Sequence, residues 1–438
     1  MRTNPCIAGK KERESHMKKI ALILVVALLA ATLITPALAE TTTVAWWGNQ
    51  TRNERTIAAL DLFGTEHEGF TYDAQPAAWG DYWAKLAVAA SGKELPDVIQ
   101  MDYSYLNQYV NDGLLVDLAP FVKDGALDLS SVNAGIVNSG SVGEGIYAVC
   151  IGVNAPALLY NKTLLDAAGI TVKDNMTMDE FMDLSREVYQ KTGVKTNVAY
   201  GTAQVLPYIM RGFGKAMFTA DGQLNITAED LAYFFGIYET MFKEGWAVTS
   251  DVFAETNVGT VEQDPMVYFS TPDTQSWCAF YWSNQMSASQ AVAASKGIEL
   301  GITTWPSPDP VASNYLKPSM FLSVSRDAKD VALSVAILDF WTNSIPANQI
   351  LLGERGIPAS SVVADGIAPM LDETNQKVIA YISNVVSPNC SDLPAADPAG
   401  FAELYKVIVE MQEYLLYGQV TAEEAAQRQQ PQQQDEFP

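Results

Sequence analysis

The residues in this chain that could recognise a ligand are tryptophans placed at the ends of apolar runs, with amides, charges and hydroxyls beside them. Trp47, Trp79, Trp282 and Trp305 fall at such ends, and Asn49, Arg52, Asp102, Tyr103, Asn154, Asn284 and Gln285 stand next to them or at comparable breaks. Tyr208 and Arg211 lie in the apolar segment Pro207–Phe218, and Arg355 lies in the Gly- and Pro-containing turn Gly353–Ser360. Flat aromatic faces stack on the C–H faces of sugar rings, while amides and carboxylates pair with their hydroxyls. A polar site with aromatic platforms therefore suits carbohydrate.

Each of these residues has a plainer reading. Trp46 and Trp47 alternate on one strand, so one of them is core; Trp46 is assigned inward and Trp47 to the rim. Trp83 and Trp341 fall on apolar helix faces and Trp277 lies within a strand, which makes all three core. Trp305, just before Pro306, is open between core and cleft. Asp102 is also placed to cap the helix that follows, with one oxygen left over for a ligand. Arg52 could equally be a surface charge.

Other chemistries are absent from the pattern. There is no Gly-x-Gly-x-x-Gly, no phosphate loop, no Gly-x-Ser-x-Gly elbow and no calcium loop. Past residue 39 the chain has one histidine, His67, and three cysteines, Cys150, Cys278 and Cys390, widely spaced in or beside apolar runs. That excludes histidine triads and a close-spaced zinc site and predicts buried free thiols. No metal or other cofactor is implied. Asp and Glu are abundant, so a secreted glycoside hydrolase or lyase using a carboxylate pair stays open as an alternative. So does a binder of a polyamine or a metal complex.

The chain has 438 residues. Residues 1–39 read as an upstream extension followed by a signal peptide: Met17–Ala39 has two lysines, a long apolar core and a Pro-Ala-Leu-Ala end. Cleavage is expected after Ala39, a retained anchor being the competing reading, and Met17 could itself be the start. Export to the periplasm or the outer side of a bacterial membrane follows. The remaining chain has 21 basic against 49 acidic side chains, a net charge of −28. Nucleic acid and anionic membrane surfaces are excluded as partners.

About 400 residues exceed one ordinary core, so two domains are expected. Thr43–Gly48, Gly69–Asp73 and Asp97–Met101 read as strands alternating with helices Arg55–His67, Ala78–Ser91 and Tyr103–Asp112, a parallel α/β pattern. Ligands of such sheets bind beyond the C-terminal strand ends, which is where Trp47, Asn49, Trp79, Asp102 and Tyr103 fall. Ile146–Val153 is an apolar strand broken at Asn154–Pro156 and resumed at Ala157–Tyr160, as expected where a chain leaves one sheet for another. Asn161 caps the next helix, Lys162–Ala168. Helices follow at Thr177–Thr192 and Thr227–Gly245, each opened by a capping box, and strands are predicted at Met266–Phe269, Trp277–Trp282, Leu300–Trp305 and Met320–Val324. Residues 429–438 are low-complexity and expected to be disordered.

Several of these segments resemble the extracellular solute-binding proteins of carbohydrate ABC transporters, the group that includes the maltose-binding protein. The resemblance rests on Pro96–Ile99 with Gly113–Leu115, Leu159–Lys162 with Leu165–Gly169, Gly353–Ser360 and Thr421–Ala425, in that order. It implies a non-enzymatic monomer of the two-lobed periplasmic-binding-protein fold (type II), an α/β fold with a mainly parallel sheet in each lobe. A mono- or oligosaccharide would lie between the lobes, with permease subunits in the membrane as partners. The implied lobes are 40–153 with 320–362, and 154–319 with 363–428, with crossings near Val153–Ala155, Leu316–Phe321 and Val362–Pro369. Trp282-Ser283-Asn284 resembles a sugar-stacking segment of the family, and Pro207-Tyr208 resembles its Pro-Tyr in the second lobe. Met101-Asp102 departs from the maltodextrin pattern. Trp47-Gly48 with Arg52, and Trp79, look more like binders of oligogalacturonides, where Arg52 and Arg211 would suit uronate carboxylates.

Overall fold

The computed structural model describes residues 41–197, 204–219, 222–256, 260–393 and 401–428. The expected signal peptide and the C-terminal tail lie outside the described residues. Among those residues the strands are β1 (Thr42–Trp47), β2 (Tyr72–Ala77), β3 (Val98–Met101), a short hairpin of β4 (Ser141–Val142) and β5 (Gly145–Ile146), β6 (Val149–Asn154), β7 (Pro156–Asn161), β8 (Cys278–Trp282), β9 (Leu300–Thr303) and β10 (Lys317–Val324).

The first lobe is built on a five-stranded sheet in the order β2-β1-β3-β10-β6. β1 runs parallel to β2 and β3, while β10 runs antiparallel to β3 and β6. The C-terminal ends of β1, β2, β3 and β6 therefore share one rim with the N-terminal end of β10. Trp47, Ala77, Met101, Asn154 and Lys317 mark that rim, and Asn154 is the register partner of Lys317. β2 begins later than the sequence predicts, because Gly69 turns the chain at φ +83° just before it. Its Pro76 is accommodated because β2 is an edge strand.

The second lobe holds a three-stranded sheet, β8-β7-β9, in which β7 pairs antiparallel with both neighbours. This corrects the expectation of a mainly parallel sheet in each lobe. The strand–helix–strand run from β8 through Met286–Ala294 to β9 does give two strands of like direction. β7, arriving from the first lobe, is inserted between them and runs the other way. The strand predicted at Met266–Phe269 is also corrected: Pro265–Tyr268 is a helical turn, with Asp264 accepting from Met266 N at 2.9 Å and Pro265 at its first position. Both capping boxes form, Thr177 with Glu180 and Thr227 with Asp230. Asn161 caps its helix through Leu164 N at 2.9 Å.

β7 is buried on both faces, and its residues alternate between two apolar clusters. Ala157 and Leu159 join the cluster that spans the first sheet, while Leu158 packs with Phe181, Phe234, Phe235, Trp277 and Phe280. Trp46, Trp83, Trp277 and Trp341 are buried as expected. Cys150 and Cys278 are buried free thiols and Cys390 is half-buried; burial pushes the Cys150 thiol up to about 12.

Ala155 alone links β6 to β7. Its N–H donates to Ser283 Oγ at 3.0 Å and its carbonyl accepts from Ser283 N at 2.9 Å. β10 carries the chain back. The Ser361–Ile367 helix still packs on the first-lobe helices Val331–Asn343 and Ile345–Leu351, whereas Glu373–Ala380 packs on Met286–Ala294. The 361–367 helix therefore packs with the first lobe, overlapping the stretch Val362–Pro369 where the last crossing is expected.

The Gly353–Ser360 turn is bound to the first crossing. Val153 N donates to Ile357 O at 2.7 Å, and Ile357 N returns to Val153 O at 3.2 Å. Ser319 Oγ donates to Gly152 O at 2.8 Å and also meets Arg355 O. A Cβ on Gly152 would fall against the Arg355 carbonyl and 2.7 Å from Ser319 Oγ. Gly152→Ala is therefore expected to destabilise the protein by about 1–3 kcal/mol, read from urea unfolding.

The buried Asp264 gives a second expectation. Burial lifts its carboxyl from 3.8 to about 6, against hydrogen bonds from Met266 N and Tyr281 Oη. Between those values the fold holds a proton that the unfolded chain has released, so stability falls as pH rises across that window. Asp264→Asn is expected to flatten this part of the stability–pH curve, measured by thermal melting at stepped pH.

Candidate functional site

At the end of β1 the Trp47 ring is buried, and it contacts Trp79 at 4.9 Å, Tyr82 at 5.3 Å and Trp83 at 5.6 Å between centroids. Trp79 opens the Trp79–Gly92 helix and is 46% exposed. Trp83 lies flat on Tyr105 at 3.7 Å, and Tyr105 reaches Trp79 at 6.3 Å. The rim tryptophan is thus Trp79, backed by a stack of rings, and Trp47 supports it from beneath. Trp46 points the other way and donates its Nε1–H to Asn53 Oδ1 at 2.8 Å.

Polar residues at the same rim divide into committed and available groups. Asn49 caps the Gln50–Glu66 helix, with Oδ1 accepting from Arg52 N at 2.9 Å. Asp102 caps Tyr103–Asn111 with one oxygen, which takes Ser104 N at 2.9 Å and Ser104 Oγ at 2.6 Å. Its second oxygen has no hydrogen bond among the described residues. Tyr103 is half-buried and stacks over Phe321 of β10 at 6.4 Å. Asn154 is half-buried at the crossing beside Lys317.

The arginine pair is arranged differently from the expectation. Arg52 Nε donates to both oxygens of Glu354, at 2.8 and 2.9 Å, and its Nη1 donates to Trp47 O at 3.1 Å. The charge set against a uronate in the sequence reading is therefore already neutralised. Arg355 is buried, not at the cleft surface. Its Nε donates to Gln100 Oε1 at 2.9 Å and its Nη2 to Thr56 Oγ1 at 2.7 Å, while Nη1 lies 3.5 Å from Glu354. Burial, reinforced by Arg52, pulls the Arg355 pKa down, and Glu354 opposes that pull.

On the second-lobe side Trp282 is half-buried at the end of β8 and meets Trp305 at 5.8 Å and Tyr315 at 6.1 Å. Lys317 Nζ stands 4.4 Å from the Trp282 ring centre, and the Arg211 guanidinium lies 5.1 Å from that of Tyr315. Arg211 donates to Ser313 O, Ser391 Oγ and Asp392 O. Asn284 is exposed, and Gln285 uses Oε1 to accept from Trp282 N at 3.0 Å. Two candidates on this side are corrected by burial, as Trp47 and Arg355 are in the first lobe. Trp305 is fully enclosed, and so is Tyr208, whose hydroxyl donates to Trp305 O at 3.0 Å and contacts Asn314.

Trp79, Asp102, Tyr103 and Asn154 lie along the first-lobe rim, Trp79 at the β2 edge and Asn154 at the β6 edge, while Trp282 and Asn284 lie at the end of β8, with Arg211 beside Tyr315. The sequence reading missed Lys317, Tyr105, Tyr315 and Glu354. Lys317 sits at the edge of the segment expected to cross between lobes, which was the available signal. Burial lowers the Lys317 pKa while Asp102 raises it. Among the described residues, no group of three or more His, Cys, Asp or Glu gathers to hold a metal. A separate cavity of about 300 Å³ lies beside the edge strand, between Ala74–Ala77 and Lys85–Ala89.

Two α/β lobes joined by strand crossings, with aromatic and polar groups at the junction, define a protein that holds a solute between its lobes. Residues 58–375 match the family described as bacterial extracellular solute-binding protein, and the chain belongs to that family. The fold is shared with an extracellular solute-binding protein family 1 member from Alicyclobacillus acidocaldarius, at 22% identity and TM-score 0.81, over 90% of this chain and 98% of that one. It is shared with a periplasmic oligogalacturonide binding protein from Yersinia enterocolitica, at 20% identity and TM-score 0.71, over 90% and 97% of the two chains. The GacH receptor of Streptomyces glaucescens, solved unliganded and with acarbose, is similar at 19% identity and TM-score 0.60, over 89% and 96%. An extracytoplasmic location follows from the family. Among the described residues no helix is long and apolar enough to cross a membrane.

Glu354 balances two largely desolvated guanidinium groups. Glu354→Gln is expected to cost roughly 3–5 kcal/mol in chemical unfolding, more than a surface ion pair would.

Proposed function

We propose that this chain is the substrate-binding component of an ABC importer, which captures a carbohydrate, an oligosaccharide, by hinge closure and delivers it to the membrane permease. The observation that carries this reading is the exposed Trp79 ring, set on stacked aromatics at the first-lobe rim, with a second tryptophan, Trp282, across the β6–β7 crossing. Asp102, Asn154 and Asn284 supply hydroxyl partners between them. The protein acts as a monomer and takes no cofactor.

Closure has to be driven by contacts that only the closed form offers, because a ligand shifts a conformational equilibrium by its differential affinity. A sugar stacked on Trp79 gains second-lobe contacts when the lobes approach.

The binding reading is preferred to hydrolysis on carboxylate placement. Hydrolysis needs two carboxyl groups about 5–5.5 Å or 6.5–9.5 Å apart across the bond. At the first-lobe rim Glu354 is held by Arg52 and Arg355, so it is not free to act as an acid or nucleophile. Two structural relatives support a sugar as ligand: one is described as an oligogalacturonide binder and another was solved with acarbose.

Calorimetry with a panel of oligosaccharides, alongside assays for released reducing ends, tests the proposal. Binding without turnover is expected. Trp79→Ala is expected to weaken binding by about 1–3 kcal/mol. Binding of a polyamine but no sugar, or steady release of reducing ends, would overturn it.

A further inference from the structure

The cations near the crossing are not equivalent. Arg52 and Arg355 share Glu354. Arg211 is bound by neutral oxygens and lies over Tyr315. Lys317 has neither a carboxylate within ion-pair distance nor a hydrogen bond among the described residues, although 49 acidic side chains follow residue 39. Its recorded contact is the Trp282 ring, 4.4 Å below the ammonium.

This placement decides what Trp282 can do. The indole is packed by Trp305 and Tyr315, and Lys317 covers a ring face. A neutral sugar stacking on that face would have to displace the ammonium and lose the cation–π contact. A ligand oxyanion pairs with the same ammonium while its ring lies beside the indole, so nothing is displaced. Position supports the same outcome. Lys317 is the first residue of β10, in register with Asn154 at the rim. Lys317 is exposed at the start of β10, so its ammonium is open to a ligand.

We propose that Lys317, lying on the face of Trp282, reads an oxyanion carried by the bound saccharide, so that the ligand is an acidic sugar. The inference rests on the saccharide-binding function proposed above and names the charge of its ligand. It assigns to Lys317 the anion recognition that the sequence suggested for Arg52, whose charge is spent on Glu354. The shared chemistry is a carboxylate, sulfate or phosphate on a sugar ring.

The test is calorimetry on the full mature chain with trigalacturonate, its methyl ester, neutral galactotriose, galactose 6-sulfate and galactose 6-phosphate. Wild type is expected to bind at least one acidic ligand tenfold or more tighter than the neutral ones, and the three oxyanion types distinguish which group is read. Lys317→Met is expected to remove that preference, weakening the acidic ligand tenfold or more and leaving neutral ligands unchanged or tighter. Lys317→Arg is expected to retain the preference. Equal binding of acidic and neutral sugars by wild type would overturn this inference alone, as would an equal loss of both in Lys317→Met. Failure of every saccharide to bind would instead overturn the carbohydrate reading on which it rests.

Discussion

Glu354 lies between Arg52 and Arg355, and the arrangement of the binding rim depends on that shared carboxylate. Through Arg52 it holds the start of the Gln50–Glu66 helix and the last carbonyl of β1. Through Arg355 the same turn reaches Thr56 on that helix and Gln100 on β3. Through Ile357 and the Arg355 carbonyl it reaches Val153, Gly152 and Ser319 at the crossing. One short turn thus ties together the strand ends that carry the site. Such a desolvated network adds little net stability over a packed apolar one, but loss of one member leaves charges buried and unpaired. Its consequence is positional, since β1, β3 and β6 are kept in register at one edge.

Motion has to occur against that rigid base. The link between β6 and β7 is the single residue Ala155, braced by two hydrogen bonds to Ser283. Apolar packing is continuous across that link, since Ala157 and Leu159 of β7, with Met266 and Tyr281, share one buried cluster with Val44, Ile99 and Phe321 of the first sheet. Packed cores resist gradual deformation, which favours rigid-body closure about the crossings. The aromatic stack behind Trp79 serves the same end, because a ring fixed on its neighbours loses little freedom when a ligand stacks on it.

Net charge and local charge point in opposite directions here. The mature chain carries −28, which keeps an exported protein soluble and excludes nucleic acid. The groups around the crossing are nevertheless cationic, and the balance at each one depends on its neighbours. Arg52 is neutralised by contact with Glu354, whereas Lys317 has an aromatic face in place of a carboxylate. Binding follows the nearest few ångströms rather than the sum over the chain, because solvent screens the distant charges.

The sequence by itself determined the elements whose causes are local. Capping boxes at Thr177 and Thr227, the Asn161 and Asp102 caps, the alternation that buries Trp46, and the strand broken at Asn154–Pro156 all arise from residues a few positions apart. Those features, with the order of motifs, were enough for the two-lobed α/β class and for a rim containing Trp79 and Asp102. The tertiary structure decided what depends on residues distant in the chain. The direction of β7 relative to β8 and β9 was one such feature, because the strand between them arrives from the other lobe. The enclosure of Tyr208 and Trp305 was another, since each covers the other. Arg52 and Glu354 lie 302 positions apart, and 35 positions separate Trp282 from Lys317. No spacing along the chain encodes such contacts; only folding brings the partners within reach and settles which charges remain for a ligand.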